Sequence, residues 1–152
     1  MTFEVLMKHL AEEVGESGGF VADEDGVVRI GAAGGGAIAF MEVADIGSML
    51  IWSRVGDADE EGQERLKNEL LKANFMGRIA NGGALSLSDD GGIYLHRLLP
   101  LDITDGDRFM EALTAFVETA VNWRQIIAAY VPAADAEPAA SPAPGDARYL
   151  KV

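Results

Sequence analysis

The stretch from Leu66 to Asp102, LKNELLKANFMGRIANGGALSLSDDGGIYLHRLLPLD, limits the possible folds more than any other part of the chain. Leu66, Leu70 and Phe75 set apolar side chains at helical spacing up to the Asn74-Phe75 pair. Asn81-Gly82-Gly83 breaks that pattern. Ala84–Ser88 and Ile93–Leu99 follow as two β-prone runs separated by Asp89-Asp90-Gly91-Gly92. Asp bonds its own backbone in turns and Gly accepts positive φ, so this is a hairpin signal. Strands joined so tightly pair antiparallel. Pro100 closes the unit before the next helix. The stretch is ordered, yet it holds no arrangement of reactive side chains.

The other segments supply the remaining layers. Phe3, Leu6, Met7, Leu10 and Val14 recur at helical spacing, with Thr2 placed to cap the helix and Gly15 to end it. Phe20–Asp23 and Val27–Ile30 are short β-prone runs around Asp23-Glu24-Asp25-Gly26, the first of them the weaker. After the glycine-rich Gly31–Gly36, Ala37–Val43 and Ser48–Val55 read as two longer strands. Asp57 and Glu60 resemble a capping box opening the second helix, and Glu61 and Arg65 have a favourable i, i+4 order. Thr104 and Asp107 start the last helix, whose buried side is Phe109, Leu113, Phe116, Val117, Ala120, Trp123 and Ile127. From Pro132 the composition turns to Ala, Pro, Asp and Ser, which is tail chemistry.

The expectation is an α+β sandwich over residues 1–131 with a tail at 132–152. Its element order is α-β-β-β-(β)-α-β-β-α, one β optional, with helices packed on one face of a twisted antiparallel sheet.

The 152 residues, 49% hydrophobic, suffice for one sizeable core. A net charge of -13 disfavours nucleic acid and anionic membranes, both of which select for Lys and Arg. It suits a basic partner segment. No cysteine is present, which removes disulfides, thiolate catalysis and Cys-based metal sites. The N-terminus, with Glu4, Glu12 and Glu13, is unlike a signal peptide, and no apolar run reaches the ~20 residues that span a bilayer.

Chemistry is hard to find. His9 and His96 fall in different elements, without metal-ligand spacing. Neither Asp-rich turn continues into a calcium loop. Gly31–Gly36 precedes a strand and lacks the Lys-Ser/Thr of a phosphate cradle. Ser86 and Ser88 alternate with Leu85 and Leu87 as a half-buried strand does. No catalytic residue, metal site or cofactor is expected. What remains is apolar surface. Taking Glu42 and Arg54 as marks of solvent-facing sides, Ile38, Phe40, Leu50 and Trp52 are expected together on one outer face, with Met41, Met49 and Ile51 inward.

The residues ELLKANFMGRIANGGALSLSDDGGIYLHRLLPLD, followed by RFMEALTAFVETAVNW, resemble the class I type III secretion chaperones, the Tir-chaperone (CesT-like) family. The likeness spans about residues 2–130. The Ala/Pro tail and the Gly31–Gly36 insert stand outside it. It implies a small acidic cytoplasmic homodimer, without catalysis, metal or cofactor. Such a protein binds the extended N-terminal segment of a secreted effector and keeps it soluble and secretion-competent. The implied partner surface is Phe3, Leu6, Met7 and Leu10 of the first helix with Ile38, Phe40, Leu50, Trp52 and Arg54 of the early strands. The implied dimer surface is Leu66, Leu70 and Phe75 with Leu85, Leu87 and Tyr94. A regulatory or sensory protein-binding module of the same fold, with no secretion client, is the alternative.

Overall fold

A computed structural model of the chain describes residues 1–32, 34–58, 63–77 and 80–130. Helix α1 (Phe3–Val14) is followed by strands β1 (Val28–Gly31), β2 (Ala37–Val43) and β3 (Ser48–Asp57), then helix α2 (Gln63–Asn74). Strands β4 (Ala84–Leu87) and β5 (Gly92–Pro100) lead to the long helix α3 (Gly106–Tyr130). One-turn helices cover Ala44–Ile46 and Phe75–Gly77. The expected α+β architecture is present: an antiparallel five-stranded sheet, order β1-β2-β3-β5-β4, with three helices packed on it.

Local chemistry sets the boundaries. Thr2 Oγ1 accepts from the Val5 N–H at 3.4 Å, and Gly15 ends α1 in the left-handed conformation. Asp105 caps α3 by accepting from the Arg108 N–H at 2.9 Å, a role the sequence reading gave to Thr104 and Asp107. The optional early strand at Phe20–Asp23 does not form. Asp23 instead closes a local loop, its carboxylate accepting from the Asp25 and Val27 N–H groups at 3.0 and 2.9 Å and pairing with Arg29. These bonds to the charged form, chiefly from Val27 and Arg29, hold the Asp23 carboxyl below its ordinary value. The Asp57–Glu60 capping box, the Glu61–Arg65 pair and the tail at 132–152 extend outside the described residues.

The inner sheet face carries Val28 and Ile30, Ile38 and Phe40, Met49, Ile51 and Val55, and Ile93, Leu95 and Leu99. Against it pack Phe3, Leu6, Met7 and Leu10 of α1, Leu66, Leu70 and Ala73 of α2, and all seven expected residues of α3. Phe40 and Phe109 meet edge to face, centroids 6.3 Å apart. The one polar residue deep in this face, Ser53, donates to the Ala37 carbonyl at 2.8 Å and accepts from Arg124 at 2.7 Å.

Strand β3 shifts register between Arg54 and Gly56, and Ile127 of α3 lies against the second of these. A Cβ on Gly56 would lie 2.5 Å from Cγ2 of Ile127. Gly56→Ala is therefore expected to cost about 1–3 kcal/mol by overpacking, measured by urea denaturation. Part of that loss should be recovered in an Ile127→Ala background, which lacks the colliding Cγ2. Recovery of none would mean the bulge, not the side-chain collision, sets the cost.

Candidate partner-binding surfaces

The sheet register corrects the expected outer face. Directly opposed residues share a face, and the pairs are Ala39 with Trp52, Phe40 with Ile51, Met41 with Leu50 and Glu42 with Met49. Ile38 and Phe40 thus point inward beside Ile51, and both are fully buried. Met41, expected inward, lies on the outer face. Glu42 shares the parity of Phe40 yet is exposed, because it stands near the end of β2. Leu6 and Leu10 are likewise sealed in the core.

The outer face that remains runs across three strands. Met41, Leu50 and Leu98 form one row, Ala39, Trp52 and His96 the next, and Arg54 with Tyr94 a third. Leu98 is exposed, and Met41, Leu50, Trp52, Tyr94 and His96 are half-buried. Arg54 lies over the Tyr94 ring, 5.7 Å from its centroid, and pairs with Asp57 and, at 3.4 Å, with Asp90. The hydrogen bond to Asp57 is the main reason its guanidinium is held more basic than usual. Asp90 is made more acidic by bonds from Ser88 and the Gly92 N–H.

A second surface lies at the sheet edge. The Ala32 N–H donates across the β1–β2 hairpin to the Gly36 carbonyl at 3.0 Å. Val27 is bonded to Asp23 through both its N–H and its carbonyl, each at 2.9 Å. Backbone groups alternate in direction along a strand, so those of Arg29 and Gly31 turn outward, away from β2. Among the described residues they have no backbone partner there. Alongside runs a groove of about 240 Å³ lined by Phe3, Met7, Phe20, Ala22 and Val28, with Glu4, Lys8 and Gly19 also bordering it. An extended segment paired to β1 would set every second side chain into that groove.

A third surface is the end of α2. Of the residues assigned to a dimer contact, Leu66, Leu70 and Leu85 are buried within the chain, packing the helix on β4. The exposed apolar residues there are Leu71, Phe75 and Met76, at 70%, 73% and 77% exposure, with Leu87 at 38%. Met76 has φ +60°, a left-handed conformation that costs a residue with a Cβ about 1–2 kcal/mol. This strained turn holds two large apolar side chains in solvent.

Reactive chemistry is sparse. His9 lines a groove of about 620 Å³ between α1 and α3 with Glu13, Asp107, Glu111 and Glu118. His96 Nδ1 lies 3.4 Å from Ser86 Oγ. Among the described residues no three His, Asp or Glu side chains are grouped to hold a metal, and no helix is long and apolar enough to cross a membrane.

A sheet covered by helices on one face, apolar on the other, with a free edge beside a groove, defines a protein-binding module. The comparisons agree. Residues 5–124 match the model of the Tir chaperone protein (CesT) family, and the chain belongs to that family. Among curated proteins no sequence matches significantly. Similar solved structures include the ExsC–ExsE complex (TM-score 0.68, 14% identity, 83% of this chain and 96% of that one). The HopA1–SchA chaperone–effector complex is also similar (0.66, 14%, 81% and 93%). So is the Yersinia pestis type III secretion chaperone SycH in complex with a stable fragment of YscM2 (0.65, 20%, 80% and 99%).

Proposed function

We propose that the protein is a cytoplasmic type III secretion chaperone that binds the N-terminal segment of a secreted effector in extended form. It keeps that segment soluble and secretion-competent, works as a homodimer and catalyses no reaction. The observation that carries this reading is the free pairing edge of Arg29 and Gly31 beside the Phe3–Met7–Phe20–Val28 groove. Backbone pairing supplies affinity for any extended chain, and the groove selects apolar side chains at alternate positions. Leu50, Trp52 and Arg54 extend the client surface over the outer sheet face, a shape that suits a chain wrapping from one face to the other. Phe75, Leu87 and Tyr94 belong to the self-contact side. Residues 1–131 act as the binding domain, with 132–152 as an appended tail.

Co-expression with a secreted protein encoded beside it, followed by affinity capture through that protein, tests the reading. Phe20 is half-buried and lines the groove. Phe20→Asp is expected to lower capture at least tenfold, equivalent to about 1.4 kcal/mol, with the circular dichroism spectrum unchanged. Undiminished capture would remove the groove from the client site. Equal capture of a client stripped of its N-terminal segment would sink the chaperone reading itself.

A further inference from the structure

The sheet has two edges, and the second is closed in an unusual way. The Leu85 N–H donates to Asn74 Oδ1 at 2.8 Å, and Asn74 Nδ2 donates to the Leu85 carbonyl at 2.9 Å. One side-chain amide thereby exchanges both bonds with one backbone residue, as a neighbouring strand would. Rotating the amide by half a turn would oppose donor to donor and acceptor to acceptor, so the arrangement has one satisfied orientation.

We propose that Asn74 is a surrogate strand residue that closes the β4 edge and so restricts strand addition to β1. Leu85 points both backbone groups at Asn74, so they face away from β5. Alternation aims the groups of Leu87 outward too, and those of Ala84 and Ser86 toward their partners His96 and Tyr94 on β5. A four-residue strand thus has two outward rungs, and Asn74 occupies one. Leu87 alone remains, and the next residue, Ser88, turns its N–H back to Gly92 at 2.8 Å. A single rung does not hold a strand.

The sequence of β4 shows why a closure is needed. Ala84-Leu85-Ser86-Leu87 has no charge and no proline, the usual protections of an exposed edge. Leu87 is exposed at the position that remains open. At β1 the geometry is the reverse. Two rungs, Arg29 and Gly31, face outward without backbone partners among the described residues. Asn74 is the last residue of α2, immediately before the exposed Phe75 and Met76. A second copy approaching there meets side chains and a closed edge, so contact is by packing and not by sheet extension. Assigning the open β1 edge to a client rests on the function proposed above. The closure of β4 stands without it.

The test uses the full chain and needs no client. Sedimentation velocity over a hundredfold concentration range compares wild type, Asn74→Ala, Leu87→Pro and Asn74→Ala/Leu87→Pro. Asn74→Ala is expected to form concentration-dependent species larger than wild type, with at least tenfold faster hydrogen exchange at the Leu85 amide. Leu87→Pro removes the other outward donor without a ladder bond, so the double variant should form no species larger than those of Leu87→Pro alone, the reference that carries any effect of Leu87 on the self-contact. If Asn74 merely ties α2 to β4, the proline adds to the destabilisation and rescues nothing, and the proposal falls. It also falls if folded Asn74→Ala keeps the wild-type size distribution. Should Asn74→Ala not fold, Asn74→Asp decides. It keeps the acceptor for Leu85 N–H and opposes the carbonyl, so association at the upper concentrations is expected, and wild-type size overturns the idea. Failure of the wild-type chain to capture an effector segment would count against the function and leave the closure intact.

Discussion

Phe40→Ala is expected to remove about 3–5 kcal/mol of folding free energy, a fifth or more of the roughly 5–15 kcal/mol that domains commonly have. The ring has no exposed surface and meets Phe109 of α3 edge to face. Its loss leaves a cavity where the sheet and the long helix join. Trp52, on the sheet face opposite the helices and only half-buried, should behave differently. Trp52→Ala should cost less than half as much and act mainly on partner binding. Urea titration of both variants, followed by circular dichroism, separates them. A Phe40→Ala loss under 1 kcal/mol would mean that the inner face has been assigned to the wrong residues.

The second large effect concerns self-association. Leu71 and Phe75 are one helical turn apart and both more than two-thirds exposed, with Met76 beside them. Burying one such side chain is worth about 1.5–3 kcal/mol, and in a two-fold contact each residue counts twice. Leu71→Glu/Phe75→Glu forfeits that burial and brings like charges together across the axis, on a chain already at net charge -13. The dimer dissociation constant should rise at least a hundredfold, about 2.8 kcal/mol, in sedimentation equilibrium. Leu66→Ala should instead lower stability, since Leu66 is buried inside the chain. A dimer indifferent to the double substitution would move the self-contact to the Leu50–Trp52–Leu98 face.

Some of this was legible in the sequence because period reports burial. Along α3 the spacing of Phe109, Leu113, Phe116, Val117, Ala120, Trp123 and Ile127 matches its buried side residue for residue. Strand parity was also correct within β3, where Met49 and Ile51 face inward. The error came from joining two strands by charge. Glu42 was read as marking a solvent face, but a charge near a strand end reaches past the helical cover whichever way the strand faces. That one residue turned Ile38 and Phe40 outward on paper. On α2 the apolar stripe Leu66–Leu70 packs on β4, while the exposed apolar Leu71 and Met76 lie off that stripe, where spacing gives no signal. Asn74 belongs to a legible helix end, but its bond to Leu85 spans eleven residues and a reversal of the chain. Neither composition nor period carries that information.

The strand order has a consequence for how the chain reaches this state. β1, β2 and β3 are sequential neighbours joined by short turns, so they can zip together early. The β4–β5 hairpin must then dock on β3 through β5 after α2 has been bypassed, which closes the longest loop in the sheet. Until it does, β3 has a bare flank. The rate-limiting step of folding is therefore expected to be the arrival of β5, and a newly made chain passes through an interval in which its own central strand is open to pairing.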